Sequence, residues 1–229
     1  LVDRARLLRA PAAGLGRAAG VGISVAAGRQ GEGQQGGAAV AELLRGTVNP
    51  SGKLPVSYPV SYADVPSSKS FPGIPADLPV NSYYNEGVYV GYRYYTTYDV
   101  PVSYPFGYGL SYTTFEYSDI TLDSNSLDAD GKLTARVTVR NTGKYTGTET
   151  VQLYIRDVVA SVTRPVKELK NFRQITLKPG QSEEVVFEIT EPDLRFWNDK
   201  KQFISEPGEF HLFIGHDSEQ AAKAEFNLL

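Results

Sequence analysis

The residues able to do chemistry are few and scattered. The chain has two histidines, His211 and His216, and no cysteine among 229 residues, which removes thiolate nucleophiles, thiolate zinc sites and disulfides. The histidines are five positions apart around a strand end, so their side chains point to opposite faces if the strand continues. They are expected to face solvent rather than share a metal. His216, Asp217 and Ser218 are consecutive, which denies them the mutual hydrogen-bond geometry of a triad. Acids are plentiful but fall on polar strand faces or in turns, and none stands out as a buried group of raised pKa.

Two glycine motifs imitate phosphate cradles. Gly31 to Gly36 has G-x-G-x-x-G spacing, which lets a backbone approach a pyrophosphate at a helix N-terminus. The fingerprint also wants an acid about 20 residues on, and that place holds Ser51-Gly52-Lys53-Leu54-Pro55-Val56, with none. Gly46 to Lys53 resembles a P-loop, but five residues separate the glycines, and Leu54 stands where a magnesium-binding hydroxyl belongs. No catalytic, substrate-binding, cofactor-binding or metal-ligating residue is nominated, and no cofactor.

The elements that would position any site fall into three zones. Residues 1–57 hold no aromatic residue and 11 of the 22 glycines. Val21, Ile23 and Val25 alternate as a short strand would, a glycine-rich loop follows from Gly28 to Gly37, and Ala38 to Arg45 reads as a helix of strong helix formers. Gly46 is placed to end that helix in the left-handed conformation, and Pro50 bars its continuation. One strand and one helix cannot cover both faces of a layer. This zone is therefore an incomplete α/β segment.

The second zone, 58–111, is a long Pro/Tyr-rich strap. Residues 50–110 carry nine of the fourteen prolines, and 11 of the 15 tyrosines lie between Tyr83 and Tyr117. Proline removes ladder donors, whereas tyrosine rings need apolar surface. An extended strap lying across a larger body follows, with packed tyrosines favoured over an aromatic sugar platform. The third zone, 112–229, alternates cleanly. Leu133, Ala135, Val137 and Val139 share one face, and Val151–Ile155, Val185–Ile189 and Phe210–Ile214 repeat the pattern. Asp130-Gly131, Asn141-Thr142-Gly143, Pro179-Gly180 and Pro207-Gly208 punctuate the runs. Seven or so strands form an antiparallel sandwich without the disulfide of an antibody domain, and Trp197 is expected to plug its core. The fold class is thus mostly β.

Composition narrows the partners. With 41% hydrophobic and 21% charged residues the chain is globular, and its length permits burial of roughly 70% of the unfolded surface. A net charge of −3 gives no basic field for nucleic acid. No apolar run is long enough to cross a membrane as a helix. The segment from Arg4 to Gly31 has an arginine and alanine bias but lacks the serines of a transit peptide. The chain starts at Leu1 and contains no methionine, which with the half-built layer reads as part of a longer polypeptide.

Several strings in order resemble family-3 glycoside hydrolases, the β-glucosidase and β-xylosidase type. Gly33 to Gly37, Ala39 to Gly46 and Val48 to Pro55 resemble the end of that family's α/β domain. Tyr84 to Tyr95 is similar to its connecting strap, and Pro105 to Phe115 to its entry into a fibronectin type III-like domain. Val137 to Gly143, Arg164 to Leu169 and Glu206 to Phe210 continue the likeness. The resemblance implies a fibronectin type III-like sandwich supporting catalytic domains. It also implies double-displacement hydrolysis of a terminal β-linked glucose or xylose by two carboxylates supplied from sequence before Leu1. Partners would be those N-terminal barrel and α/β domains and an oligosaccharide substrate, in a secreted or periplasmic setting. The alternative is a stand-alone carbohydrate-binding or adhesion sandwich.

Overall fold

The computed structural model describes residues 36–75, 77–78 and 80–229. The expected strand at Val21–Val25, the loop from Gly28 and nearly all of the glycine motif from Gly31 lie outside them.

Helix α1 (Gly36–Arg45) forms where the alanine-rich run demands it. It stops at Gly46, whose φ is 70°, and the Gly46 and Thr47 amides return to the Leu43 and Glu42 carbonyls at 3.0 and 3.1 Å. This is the glycine C-cap expected from sequence. The strap contains more regular structure than its prolines suggest. Strand β1 (Tyr58–Pro59) meets β2 (Val102–Tyr104) antiparallel, a 3₁₀ turn covers Tyr62–Asp64, and helix α2 covers Tyr92–Thr97.

The remaining strands are β3 (Phe115–Tyr117), β4 (Thr121–Leu122), β5 (Ser126–Leu127), β6 (Leu133–Asn141), β7 (Gly147–Asp157), β8 (Glu168–Leu177) and β9 (Ser182–Ile189). A one-turn helix, α3 (Glu191–Leu194), leads to the hairpin β10 (Phe196–Trp197) and β11 (Phe203–Ile204), and then to β12 (Gly208–Gly215) and β13 (Ala221–Leu228). One sheet runs β5-β13-β12-β7-β8; in the other, β6 pairs with β9 and on its opposite edge with β3 and β4. All sandwich pairings are antiparallel except β13 with β5, which is parallel.

Alternation explains the core. Leu133, Ala135, Val137 and Val139 of β6 and Val185, Phe187 and Ile189 of β9 face Val151, Leu153 and Ile155 of β7 and Phe210, Leu212 and Ile214 of β12. Every second residue of a strand points the same way, and two such faces pressed together exclude water over the whole layer. Phe210 and Phe226 stack with centroids 5.5 Å apart.

β7 departs from simple alternation. Thr150, Gln152 and Tyr154, on its other face, are buried as well, because the strap lies across that side. The Tyr92 ring meets the Tyr154 ring edge-on at 5.9 Å and stacks on Phe106 at 4.6 Å, and the Leu169 amide donates to the Tyr92 hydroxyl at 2.8 Å. The body on which the strap rests is the sandwich itself. Its tyrosines divide: Tyr95 is 6% exposed and Tyr84 is 90% exposed. Trp197 corrects the sequence expectation. It is 66% exposed, and the inward place belongs to Phe196 at 2%, since adjacent strand residues cannot both face the core.

Candidate functional site

The most concentrated chemistry lies where the strap enters the sandwich. Lys53 sits in a stretch that pairs with 107–109: the Leu54 amide donates to the Tyr108 carbonyl, and the Gly107 amide to the Leu54 carbonyl, each at 2.8 Å. Gly109 is the bridge partner of Lys53. A Cβ there would lie 2.7 Å from Lys53 Cδ and 2.8 Å from the Gly52 carbonyl oxygen, so only glycine lets the lysine stem pass.

The stem delivers Lys53 Nζ to Glu149 Oε1 at 3.1 Å and to the His216 carbonyl at 3.2 Å. Glu149 is 4% exposed. Its parity on β7 is that of Val151 and Leu153, so it points into the end of the core. The same Oε1 accepts from the Tyr117 hydroxyl at 3.0 Å and lies 3.0 Å from His216 Nδ1. Tyr117 and His216 also meet edge-on at 4.3 Å. A cavity of about 320 Å³ opens beside this knot, with Lys53, Gly109, Ser111, Thr113, Glu149 and His216 among its walls.

The electrostatics follow from burial. Desolvation pushes the Glu149 carboxyl upward, but hydrogen bonding from His216 and the Lys53 charge outweigh it and hold the group below the usual carboxylate range. Desolvation raises Tyr117, and the neighbouring Glu149 charge raises it further, so its hydroxyl remains a donor. Three groups converge on one carboxylate oxygen. That arrangement makes Glu149 a fixed anion and a structural knot rather than a proton carrier.

Further bonds extend the joint. Asn49 Oδ1 accepts from the Tyr112 amide at 2.7 Å and from Ser111 Oγ at 3.1 Å, while its Nδ2 donates to the Thr146 carbonyl at 2.9 Å. The Tyr112 hydroxyl donates to the Leu43 carbonyl at the end of α1 at 2.5 Å. Gln152 Nε2 donates to the His216 carbonyl at 2.6 Å and the Gly107 carbonyl at 3.3 Å. Buried Asp217 caps its own turn, accepting from the Glu219 and Gln220 amides at 2.8 and 2.7 Å.

The structure does not bring the two histidines to a common ligand. His216 joins Glu149, and His211 joins Glu209 and Glu225. Neither is the free solvent-facing side chain expected from sequence, since each has a carboxylate at hydrogen-bond distance. Sequence reasoning also passed over Glu149. The available signal was its register, an acid in phase with the apolar Val151, Leu153 and Ile155.

Comparison with known proteins places these joints in a family context. The glycosyl hydrolase family 3 C-terminal domain matches residues 29–112, and the fibronectin type III-like domain matches residues 149–218. A periplasmic β-glucosidase of Salmonella typhimurium is 46% identical over 86% of the chain and 25% of its own length. A β-glucosidase of Bacteroides ovatus is 46% identical over 81% of the chain and 25% of its own length. The structure of β-glucosidase 3B from Thermotoga neapolitana in complex with glucose superposes with a TM-score of 0.77 at 43% identity, over 85% of this chain and 27% of that one. The chain spans about a quarter of the length of the curated relatives it matches.

Proposed function

The chain belongs to glycosyl hydrolase family 3, carrying its C-terminal and fibronectin type III-like parts, and we propose that it is the structural support of a retaining β-glucosidase. In that reading the enzyme removes terminal β-linked glucose, or xylose, from oligosaccharides, and further domains of the same enzyme supply the catalytic carboxylates. We propose the divisions 1–57, 58–111 and 112–229 as its α/β segment, strap and sandwich. A secreted or periplasmic setting belongs to the same reading, supported by the periplasmic relative.

The observation that carries it is the occupation of the buried acids. Retaining hydrolysis needs a free nucleophilic carboxylate and a proton-donating partner roughly 5–5.5 Å away. Glu149 and Asp217 are the buried acids among the described residues. The first is tied to Lys53, Tyr117 and His216, and the second to backbone amides of its own turn. Meanwhile Val60, Phe71, Leu78, Val80 and Tyr84 of the strap are each 64–90% exposed, the apolar surface a supporting piece would turn toward companion domains. The 229-residue chain alone is expected to give no turnover of an aryl β-glucoside, and the complete enzyme to give it. Turnover by the isolated chain of verified intact mass sinks the proposal.

A second reading, a carbohydrate-binding or adhesion sandwich, draws on the β10–β11 hairpin. There Trp197 and Phe203 lie with centroids 5.4 Å apart and are 66% and 48% exposed, a surface on which a sugar ring can stack. A flat titration with cellobiose and insoluble glucan removes it.

A further inference from the structure

The outer face of the five-stranded sheet carries a second constellation, apart from the joint at Glu149. β12 turns Phe210 and Leu212 into the core, so Glu209 and His211 fall on the opposite face. Register then sets Glu225 of β13 directly across from His211. His211 Nε2 lies 2.8 Å from Glu209 Oε1 and 3.7 Å from Glu225 Oε1. One donor atom from each of the three lies within 4.8 Å of the others.

These separations suit a shared ion. Two donors each about 2.1 Å from a tetrahedral cation stand about 3.4 Å apart, between the two observed distances. The His211 side chain is only 12% exposed, whereas Glu209 and Glu225 are 50% and 58% exposed. The Phe213 ring stands edge-on to the imidazole at 6.3 Å. The sheltered imidazole is therefore the fixed ligand, and the two carboxylates can close on it by rotation in solvent, without backbone movement. One imidazole with two carboxylates selects a borderline divalent ion over calcium or magnesium, which prefer all-oxygen shells.

Two cationic side chains border the cluster. Lys223 Nζ holds Glu225 Oε1 at 2.6 Å, and Arg156 of β7 is the register partner of His211. Lys223 thus sits on the oxygen that an ion would take.

We propose that Glu209, His211 and Glu225 form a binding site for one divalent transition cation of the zinc class, with its remaining coordination open to water. Lys223 is the internal competitor for that site.

Calorimetric titration of the full chain with Zn²⁺, with Co²⁺ absorption and the His211 imidazole ¹⁵N resonances as parallel readouts, tests this. One equivalent is expected to bind, to shift the His211 nitrogens and to give the cobalt bands of a low-coordinate site. His211→Ala or Glu225→Gln weakens binding by about tenfold or more, whereas Lys223→Ala tightens it severalfold by freeing the Glu225 oxygen. Absent or multi-site weak binding, His211 nitrogens indifferent to zinc, or undiminished affinity in His211→Ala overturns the proposal. Should His211→Ala fail to fold, the surface change Lys223→Ala decides: zinc affinity that does not rise in it overturns the site.

Discussion

The sandwich and the segment that precedes it, residues 36–111, are held in opposite ways. In the sandwich, Leu133, Val139, Val151, Leu177 and Leu212 are wholly hidden and the two sheets cover each other. In the preceding segment few side chains are buried, Leu54 and Tyr95 among them, while Phe71, Leu78, Val80 and Tyr84 stand in solvent. Besides the packing of Tyr92 against Tyr154, what holds that segment is a set of specific polar bonds from Asn49, Lys53, Tyr92, Thr97 and Tyr112. Apolar burial is non-directional and tolerates adjustment. Polar joints depend on individual atoms. The sandwich therefore has an apolar core of its own, and the strap is fastened to it at discrete points.

The largest effect that would sharpen this contrast comes from the core. Phe187→Ala, at a side chain 1% exposed, is expected to cost about 3–5 kcal/mol through lost burial and an unfilled cavity. Val60→Ala in the strap, 64% exposed, should stay within about 0.5 kcal/mol. Urea denaturation followed by intrinsic fluorescence measures both. Equal losses would erase the distinction between the regions.

The joint comes next. Lys53→Met leaves Glu149 buried beside Tyr117 and His216 without its ammonium partner. The expected loss is about 1–3 kcal/mol, with faster proteolysis between the strap and the sandwich than within the sandwich. Gly109→Ala should imitate it, since the added methyl meets the Lys53 stem and the Gly52 carbonyl. If proteolysis instead attacks the sandwich first in both variants, the joint is not what fastens the strap.

The same joint sets an acid dependence. Glu149 is held below its ordinary value of 4.5, so the unfolded chain binds the proton more readily than the folded chain. Its contribution is fully present above about pH 4.5 and falls away as the pH drops through the lower folded pKa. The stability difference between parent and Glu149→Gln should therefore shrink from pH 7 toward pH 3. A difference that is constant across this range would mean that the folded and unfolded chains hold the Glu149 proton equally, and one that grows toward pH 3 would mean that burial outweighs its partners.

How much of this was legible in the sequence depended on the range of the interactions. β6, β7, β9 and β12 announced themselves because alternation and turn pairs are local, and the end of α1 did so because the left-handed turn at Gly46 is local too. Trp197 was misjudged because size and apolarity were weighed above parity: Phe196 already held the inward position. Glu149 carried a local hint in its phase with Val151. Its partners could not be read, since Lys53, Tyr117 and His216 lie 96, 32 and 67 residues away, and only the folded topology brings them to one oxygen. The burial of Gln152 and Tyr154 was hidden for the same reason, because a strap some fifty residues earlier supplies the cover.

The smallest effect tests the polar fastening at its far end, where the contrast is sharpest. Tyr112 reaches back from the sandwich entrance to the Leu43 carbonyl, an acceptor in the last turn of α1 that it shares with the Gly46 amide. Neither group is deeply buried, so Tyr112→Phe should cost only about 1 kcal/mol. The loss is local, however, and amide exchange reads locally. Exchange should quicken over α1 and the Gly46–Thr47 cap while protection in β6 and β7 stays as it was. Accelerated exchange spreading into those strands would show that helix, strap and sandwich unfold as one unit, and the two-region picture would have to be given up.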